Sequence, residues 1–353
     1  MKLLDRYIAG VVIIATAIAL LVILGLNIFF EVISQIDEVG EGTYTLATML
    51  QYVALTLPRG LYDLFPMAAL LGGLTGMGAL SVNSELVAMR ACGVRIWRIV
   101  RSVLQAGLVM LVVVVAIGEF IAPEAEQFAQ QLRAVALDKR INFMGTHGLW
   151  VRDESRYIFA RRVIADDSLA DLSVFEFDDQ RRLAKFTHVT TARYKGEEWI
   201  LHDVNQSILG EDHVSTRHEE KIVWPSLLTP ELIGIVMLRP DNMSAADIRQ
   251  FITYLEENGL DSQQYRYAYW KRFVTPLSAL VLLFIAVPFV FGSLRSAGNA
   301  QRIFIGVLAG FGFYMLSQML GQMGQVYDFN PLAASVTPSL VVLVLGIYGL
   351  RRI

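Results

Sequence analysis

This sequence is short of cysteine, has no phosphate-binding loop, and carries no basic residues in one set of its short loops. With one cysteine, Cys92, no intrachain disulfide can form. No Gly-x-x-x-x-Gly-Lys segment occurs, so any nucleotide-driven activity needs a partner to supply the phosphate site. Charged residues are 18% of the 353 positions and hydrophobic ones 54%. An ordinary soluble domain has about a quarter charged, which excludes that class. No Ser-His-Asp or paired-carboxylate arrangement stands out, and His213 and His218 match no metal-ligand spacing. Strand surface explains those histidines better, and neither catalysis nor a bound metal is expected.

What is present is apolar and long. Six runs, 8–30, 57–80, 103–122, 273–291, 303–323 and 336–350, each have about the length that crosses a bilayer as a helix. The first is too long for a signal-peptide core and is read as retained. The basic residues sort to one side. Lys2 and Arg6 precede the first run, and Arg90, Arg95, Arg98 and Arg101 separate the second from the third. Arg295 and Arg302 lie between the fourth and fifth, and Arg351 and Arg352 follow the sixth. The opposite short loops hold Glu31, Asp37, Glu38, Glu41 and Asp328 with no Lys or Arg. Basic short loops face the cytoplasm, so both termini are expected there.

One insertion, from Pro123 to about Trp270, interrupts the spans and should lie outside the inner face. Six stretches in it read as strands: 147–152, 156–163, 171–177, 183–194, 199–209 and 214–224. Turn pairs Asp166-Asp167, Asp178-Asp179 and Lys195-Gly196 separate them. Strands this short and regular predict a sandwich or jellyroll. A helix over 244–257 follows, with Ser244 and Asp247 as a capping box and Gly259 as its stop. Tyr265, Tyr267, Tyr269 and Trp270 then form an aromatic belt at the fourth span. The expected layout is a membrane half over 1–122, an all-β domain with its helix over 123–264, and a second membrane half over 265–353.

Four constellations could carry function. On the second span, Arg59 and Asp63 share a helical face near its outer end. An i,i+4 ion pair and a cation facing an anionic ligand are equally good readings. Ala68, Gly72 and Gly76, with Gly306 and Gly310, have the four-residue spacing of close helix packing. Phe304, Phe311, Phe313, Tyr314, Met315 and Met319 make a bulky surface on the fifth span, either lipid contact and bundle core or a lining for acyl chains. Where the third span ends, Glu119, Glu124 and Glu126 read as solvated charges, and Arg133 as a group able to grip phosphate through its planar fork. In the loop after the second span, residues 83–91 form about two helical turns, with Asn83 as the expected cap and Glu85 in the first turn.

Several of these segments together resemble the lipopolysaccharide-export permease family. They are Leu4-Asp5-Arg6-Tyr7-Ile8, Phe65-Pro66-Met67-Ala68-Ala69-Leu70-Leu71-Gly72 and Ser84-Glu85-Leu86-Val87-Ala88-Met89-Arg90-Ala91-Cys92-Gly93. Glu119-Phe120-Ile121-Ala122-Pro123 and Phe291-Gly292-Ser293-Leu294-Arg295-Ser296 complete the set. Of the family's two sister branches, the N-terminal start and Gly148-Leu149-Trp150 are more similar to the LptG type than to the LptF type.

The resemblance implies six transmembrane helices and a periplasmic all-β jellyroll between the third and fourth, in the bacterial inner membrane. It implies a permease, not an enzyme. ATP and magnesium would be bound by a homodimer of a cytoplasmic LptB-type ATPase, and no cofactor by this chain. The other implied partners are an LptF-type sister permease, a single-span LptC-type bridge protein and a periplasmic LptA-type bridge. Lipopolysaccharide would be the cargo, and no nucleic acid is expected. Residues 83–91 become a coupling helix, with Glu85, Leu86, Met89 and Arg90 meeting the ATPase. Arg59, Arg133, Phe65, Phe311, Phe313, Tyr314, Leu316, Met319 and Leu320 become lipid contacts: in that family spans one and five border lateral openings, and basic residues at the cavity's outer end, where Arg59 and Arg133 fall, meet lipid A phosphates. One departure matters: some members carry lysines just after the first span, where this chain has Glu31, Asp37 and Glu38. Phosphate recognition is then expected to lean on Arg133, the sister subunit or divalent ions. Two rival classes are weaker. A secondary transporter would need mid-span ionisable residues, and a mechanotransmission protein would hold no lipid.

Overall fold

The computed structural model describes residues 3–137, 149–153, 156–165, 168–178, 182–195, 198–210, 214–224, 240, 243–291, 298–327 and 329–352. Lys2, the strand start at 147–148, His213, Asp328, the segment 292–297 and the turn residues Asp166, Asp167, Asp179 and Gly196 lie outside them. The chain divides into two units. One is made of Met1–Asp37, Met49–Ala129 and Gln263–Ile353, the other of Glu38–Thr48 and Gln130–Ser262.

The first unit is helical. Helix α1 runs over Leu3–Ile36, α2 over Leu46–Val82, α3 over Glu85–Ala91 and α4 over Ile96–Ala116. A π turn at Ile117–Ile121 passes α4 directly into α5, Ala122–Ala136. After the inserted unit come α7 over Gln263–Phe291, α8 over Asn299–Val326 and α9 over Pro331–Arg351. Among the described residues, six helical segments are long and apolar enough to cross a membrane. With 37 residues α2 is about 55 Å long, well beyond the hydrocarbon thickness, as its apolar start at Leu46 predicts.

Helix α2 is central because its small residues let neighbours in. A Cβ on Gly72 would overlap the Thr16 backbone of α1, and one on Gly76 would sit 3.0 Å from that of Ala15. Gly73 faces Leu283 and Ala286 of α7. In return, Gly306 and Gly310 of α8 lie against Leu71 and Met67 of α2. The expected four-residue pattern is therefore a packing pattern. Around it Phe65, Leu70, Leu74, Met77, Val103, Leu283 and Val287 form one buried cluster.

The second unit carries six strands: β1 (Leu149–Asp153), β2 (Arg156–Ala165), β3 (Ser168–Phe177), β4 (Leu183–Lys195), β5 (Glu198–Leu209) and β6 (Val214–Trp224). Among the described residues they pair antiparallel in sequence order as one six-stranded sheet. Helix α6, Ala245–Glu257, opens with the Ser244–Asp247 capping box and stops before Gly259 at φ 62°.

That single sheet coils by a row of kinks. Asp171 and Asp203 take positive φ, 57° and 54°, a conformation Asp tolerates better than most residues. Thr190 lies between them on β4 and donates its hydroxyl to Asp203 Oδ2 at 2.6 Å. Across this row the inward side changes parity. Leu169 faces in before it and Leu172 and Val174 after it; Trp199 and Leu201 give way to Val204; Ala192 gives way to Val189. The coiling brings Arg156 of β2 to 5.3 Å from the Trp224 ring of β6, although three strands separate the two in the sheet. The inner hollow, near 130 Å³, is lined by Val174, Thr187, Leu201 and Ile222, with Arg156 and Glu176 among its polar residues.

Candidate functional site

The short helix α3 is held to the bundle by one side. Leu86 is 2% exposed and sits in the main apolar cluster, with Met89 packed partly against it. Leu86 is therefore an anchor for α3, not a group offered to a partner as the sequence suggested. The other side is open: Val87 and Arg90 are exposed, as is Trp97 at the start of α4. Arg90 lies 5.8 Å above the Phe291 ring, and the two border a recess near 300 Å³ with Ser81, Val87 and Val290. The N-cap is Ser84 in the left-handed region at φ 59°, without a side-chain cap, so Asn83 is not the cap. Instead Asn83 Nδ2 donates to Glu85 Oε1 at 3.3 Å, while Tyr7 of α1 donates its hydroxyl to Glu85 Oε2 at 2.8 Å.

Asp5, two residues earlier on α1, accepts from Arg98 Nε at 3.0 Å and from Ser102 Oγ at 3.2 Å, both on α4. The Leu4-Asp5-Arg6-Tyr7 segment thus bonds the first residue of α3 and the helix that follows it.

The predicted lipid contacts separate into three groups. Phe311, Tyr314 and Met319 project from α8, with Phe311 54% and Met319 60% exposed. Leu316 and Leu320 are half-buried, and Phe313 leans on the bundle core. Helix α1 is similarly uncovered along Ile14, Ile18, Leu21 and Val22. Phe65 departs from expectation: at 1% exposure it is packed in the buried cluster of the bundle, so it has no surface to offer a lipid.

Both arginines proposed for phosphate already have acidic neighbours. Arg59 Nε donates to Asp63 Oδ2 at 2.8 Å, which favours the ion-pair reading of that turn. In the other unit, Arg133 grips Glu38 with Nη2 at 2.7 Å from both carboxylate oxygens and Nε at 3.0 Å from Oε2. The fork that suits a phosphate is therefore seated on one of the acids that distinguish this chain. Glu38 is 95 positions away, and pattern alone could not pair them.

A polar knot inside the helical unit was not expected from the sequence. Arg272 of α7 is 7% exposed, donates Nε to Glu119 Oε2 at 2.7 Å, and donates Nη2 to the Gly118 carbonyl at 2.8 Å. A π turn disturbs the regular i→i−4 ladder, and Arg272 serves one of its carbonyls. Pro276 has no N–H, so the Arg272 carbonyl loses its helical donor, and the Tyr62 hydroxyl donates to it instead. Gly118 is necessary because a Cβ there would fall within the Tyr62 ring. Glu119 is thus paired and Glu126 is buried, not solvated as expected, while Glu124 is exposed. Pro276 four residues after an arginine was the one available signal.

Six membrane-length helices, a short exposed helix braced on them and an inserted coiled β domain define a polytopic membrane protein of the permease class. The chain belongs to the family described as lipopolysaccharide export system permease LptF/LptG, whose model matches residues 6–352. It is 35% identical over 351 residues to the lipopolysaccharide export system permease protein LptG of Haemophilus influenzae, covering 99% of this chain and 98% of that one. It is 32% identical over 352 residues to the protein of the same name from Escherichia coli K12, with the same coverage.

Proposed function

We propose that this chain is the LptG-type permease subunit of an ABC transporter that extracts lipopolysaccharide from the inner membrane and passes it to a periplasmic bridge. Its termini are cytoplasmic and its β domain periplasmic. An LptF-type sister permease completes the cavity, an LptB-type ATPase dimer binds ATP and magnesium, and LptC- and LptA-type proteins receive the lipid. The observation carrying this reading is α3, anchored through Leu86 with Val87 and Arg90 outward beside a recess. A partner seated there can push on the bundle through a rigid contact.

Nucleotide-driven closure of the partner then moves α3, narrows the cavity and expels bound lipid upward. The uncovered faces of α1 and α8, including Phe311, Tyr314 and Met319, suit an acyl-chain boundary with the sister subunit. Such a lining is needed because each CH₂ exposed to water costs about 0.8 kcal/mol. The hollow of the coiled sheet, where Val174, Leu201 and Ile222 stand beside Arg156 and Lys185, is the proposed acceptor for the lipid within the β domain.

Glu85→Lys is expected to reduce ATPase capture in a pull-down by at least about tenfold, since it reverses charge on the contact helix and expels the Tyr7 hydroxyl from it. Unchanged capture with unchanged transport would remove α3 from the coupling role. For the cargo, lipid phosphate competes with Glu38 for Arg133. Arg133→Glu should lower lipid retained by the purified complex, and Glu38→Gln should raise it, both read by mass spectrometry of the extracted lipid. Equal retention in both variants would take that pair out of the path.

A further inference from the structure

We infer that Tyr7 is a positioning residue that ties the gate-side helix α1 to the coupling helix α3, so that α1 moves when α3 is pushed. This rests on the coupling role proposed above. The Glu85 carboxylate is occupied at both oxygens: Oε1 by Asn83 of its own turn and Oε2 by Tyr7, 78 positions earlier. Only the second bond leaves α3. Helix α3 is seven residues long and has no side-chain cap, so it holds its place through Leu86 and this bond, not through its own stability.

The start of α1 is bonded both to α3 and to the helix that follows it. Asp5 fixes it to Arg98 and Ser102 on α4, and Tyr7 fixes it to Glu85 at the head of α3. Further along, Gly72 and Gly76 of α2 hold α1 at backbone contact distance around Val12 and Thr16. Beyond that contact α1 meets α2 again where Leu24 and Asn27 lie against Gly60, while the face carrying Ile18, Leu21, Val22, Leu26, Phe29 and Phe30 is uncovered. Helix α1 is thus a lever seated along α2: a shift at Tyr7, before the contact at Thr16, tilts one rigid helix whose far length carries that uncovered face. A rigid helix of 34 residues carries such a rotation without needing a chain of side-chain contacts.

The bond also explains why α3 begins with an acid at this position. A charge at a helix N-terminus is favourable by itself, but that benefit is indifferent to which atoms surround it. A tyrosine hydroxyl placed on one carboxylate oxygen fixes the side-chain rotamer and directs the remaining lone pairs outward, toward an incoming cation. Docking and lever movement are thereby joined at one carboxylate.

The test uses the complete complex in proteoliposomes, with lipid released per ATP hydrolysed as the readout. Tyr7→Phe keeps the ring and removes the hydroxyl. Losing a hydrogen bond to a charged group should lower that ratio by about fivefold, with complex assembly and hydrolysis rate within about twofold of the parent. Glu85→Ala, which removes the acceptor, should lower it at least as much, and the double variant should be no worse than Glu85→Ala alone, because the bond is already gone. Assembly, hydrolysis and release falling together would mean that Tyr7 only supports the fold, and would overturn the inference. An unchanged ratio in Tyr7→Phe, or additive losses in the double variant, would overturn it too. If the parent complex itself released no lipid on hydrolysis, the transport reading would fail instead, and the two failures are distinct.

Discussion

Gly72→Val is expected to prevent accumulation of folded protein, lowering stability by about 3 kcal/mol or more. Its Cβ would occupy the place of the Thr16 backbone, and neither helix can move away without losing other packing. Thr16 of α1 is 1% exposed and Leu70, Leu74 and Met77 of α2 are as deeply set, so displacing α1 opens the centre of the cluster. Gly10 is the control: nothing lies within 4 Å of its notional Cβ, and Gly10→Ala should be neutral or better, since alanine is the stronger helix former. Monodisperse yield in detergent and the midpoint of thermal unfolding read both variants. A Gly72→Val protein that melts with the parent would show that α1 and α2 are not in backbone contact.

Arg272→Met should lower the unfolding free energy by about 2–4 kcal/mol. It strands Glu119, whose side chain is 30% exposed and can recover some hydration, and it removes the donor from the Gly118 carbonyl. Glu119→Gln alone leaves the arginine, at 5% side-chain exposure, without its counter-charge and should be damaging as well. The double variant Arg272→Met with Glu119→Gln should be more stable than the sum of the singles predicts, because no unpaired charge remains. Additive losses, or a neutral Arg272→Met, would mean the knot contributes nothing to holding α4 and α7 together. Tyr62→Phe is the milder companion, removing only the hydroxyl that serves the Arg272 carbonyl.

The spans and strands were legible because each rests on a local pattern. Hydropathy alone located six crossings, and alternation placed β6 at 214–224, as observed, with the other described strand ends within about three residues. The capping box at Ser244 and the stop at Gly259 were legible for the same reason, being written within a few positions. What was not legible depends on residues far apart. Nothing near Arg133 announces Glu38, and nothing near Tyr7 announces Glu85. The Arg272 knot needs three helices and a missing proline N–H to be seen at once. Likewise Asp171 and Asp203 look like surface carboxylates in the sequence, and only the strand register shows them aligned as the line along which the sheet bends. Phe65 and Leu86 took outward roles from the family resemblance, yet apolar residues on a helix are equally suited to the core, and both are buried in the main cluster.

The central claim is that this chain moves a lipid only when a partner hydrolyses ATP against α3. The direct measurement is release of lipopolysaccharide from proteoliposomes holding this chain, its sister permease and the ATPase, compared with the same vesicles lacking the ATPase or given a non-hydrolysable nucleotide. Release confined to the complete, hydrolysing system is the expected result. Equal release without the ATPase, or hydrolysis by the full complex with no lipid ever bound or moved, would contradict the account.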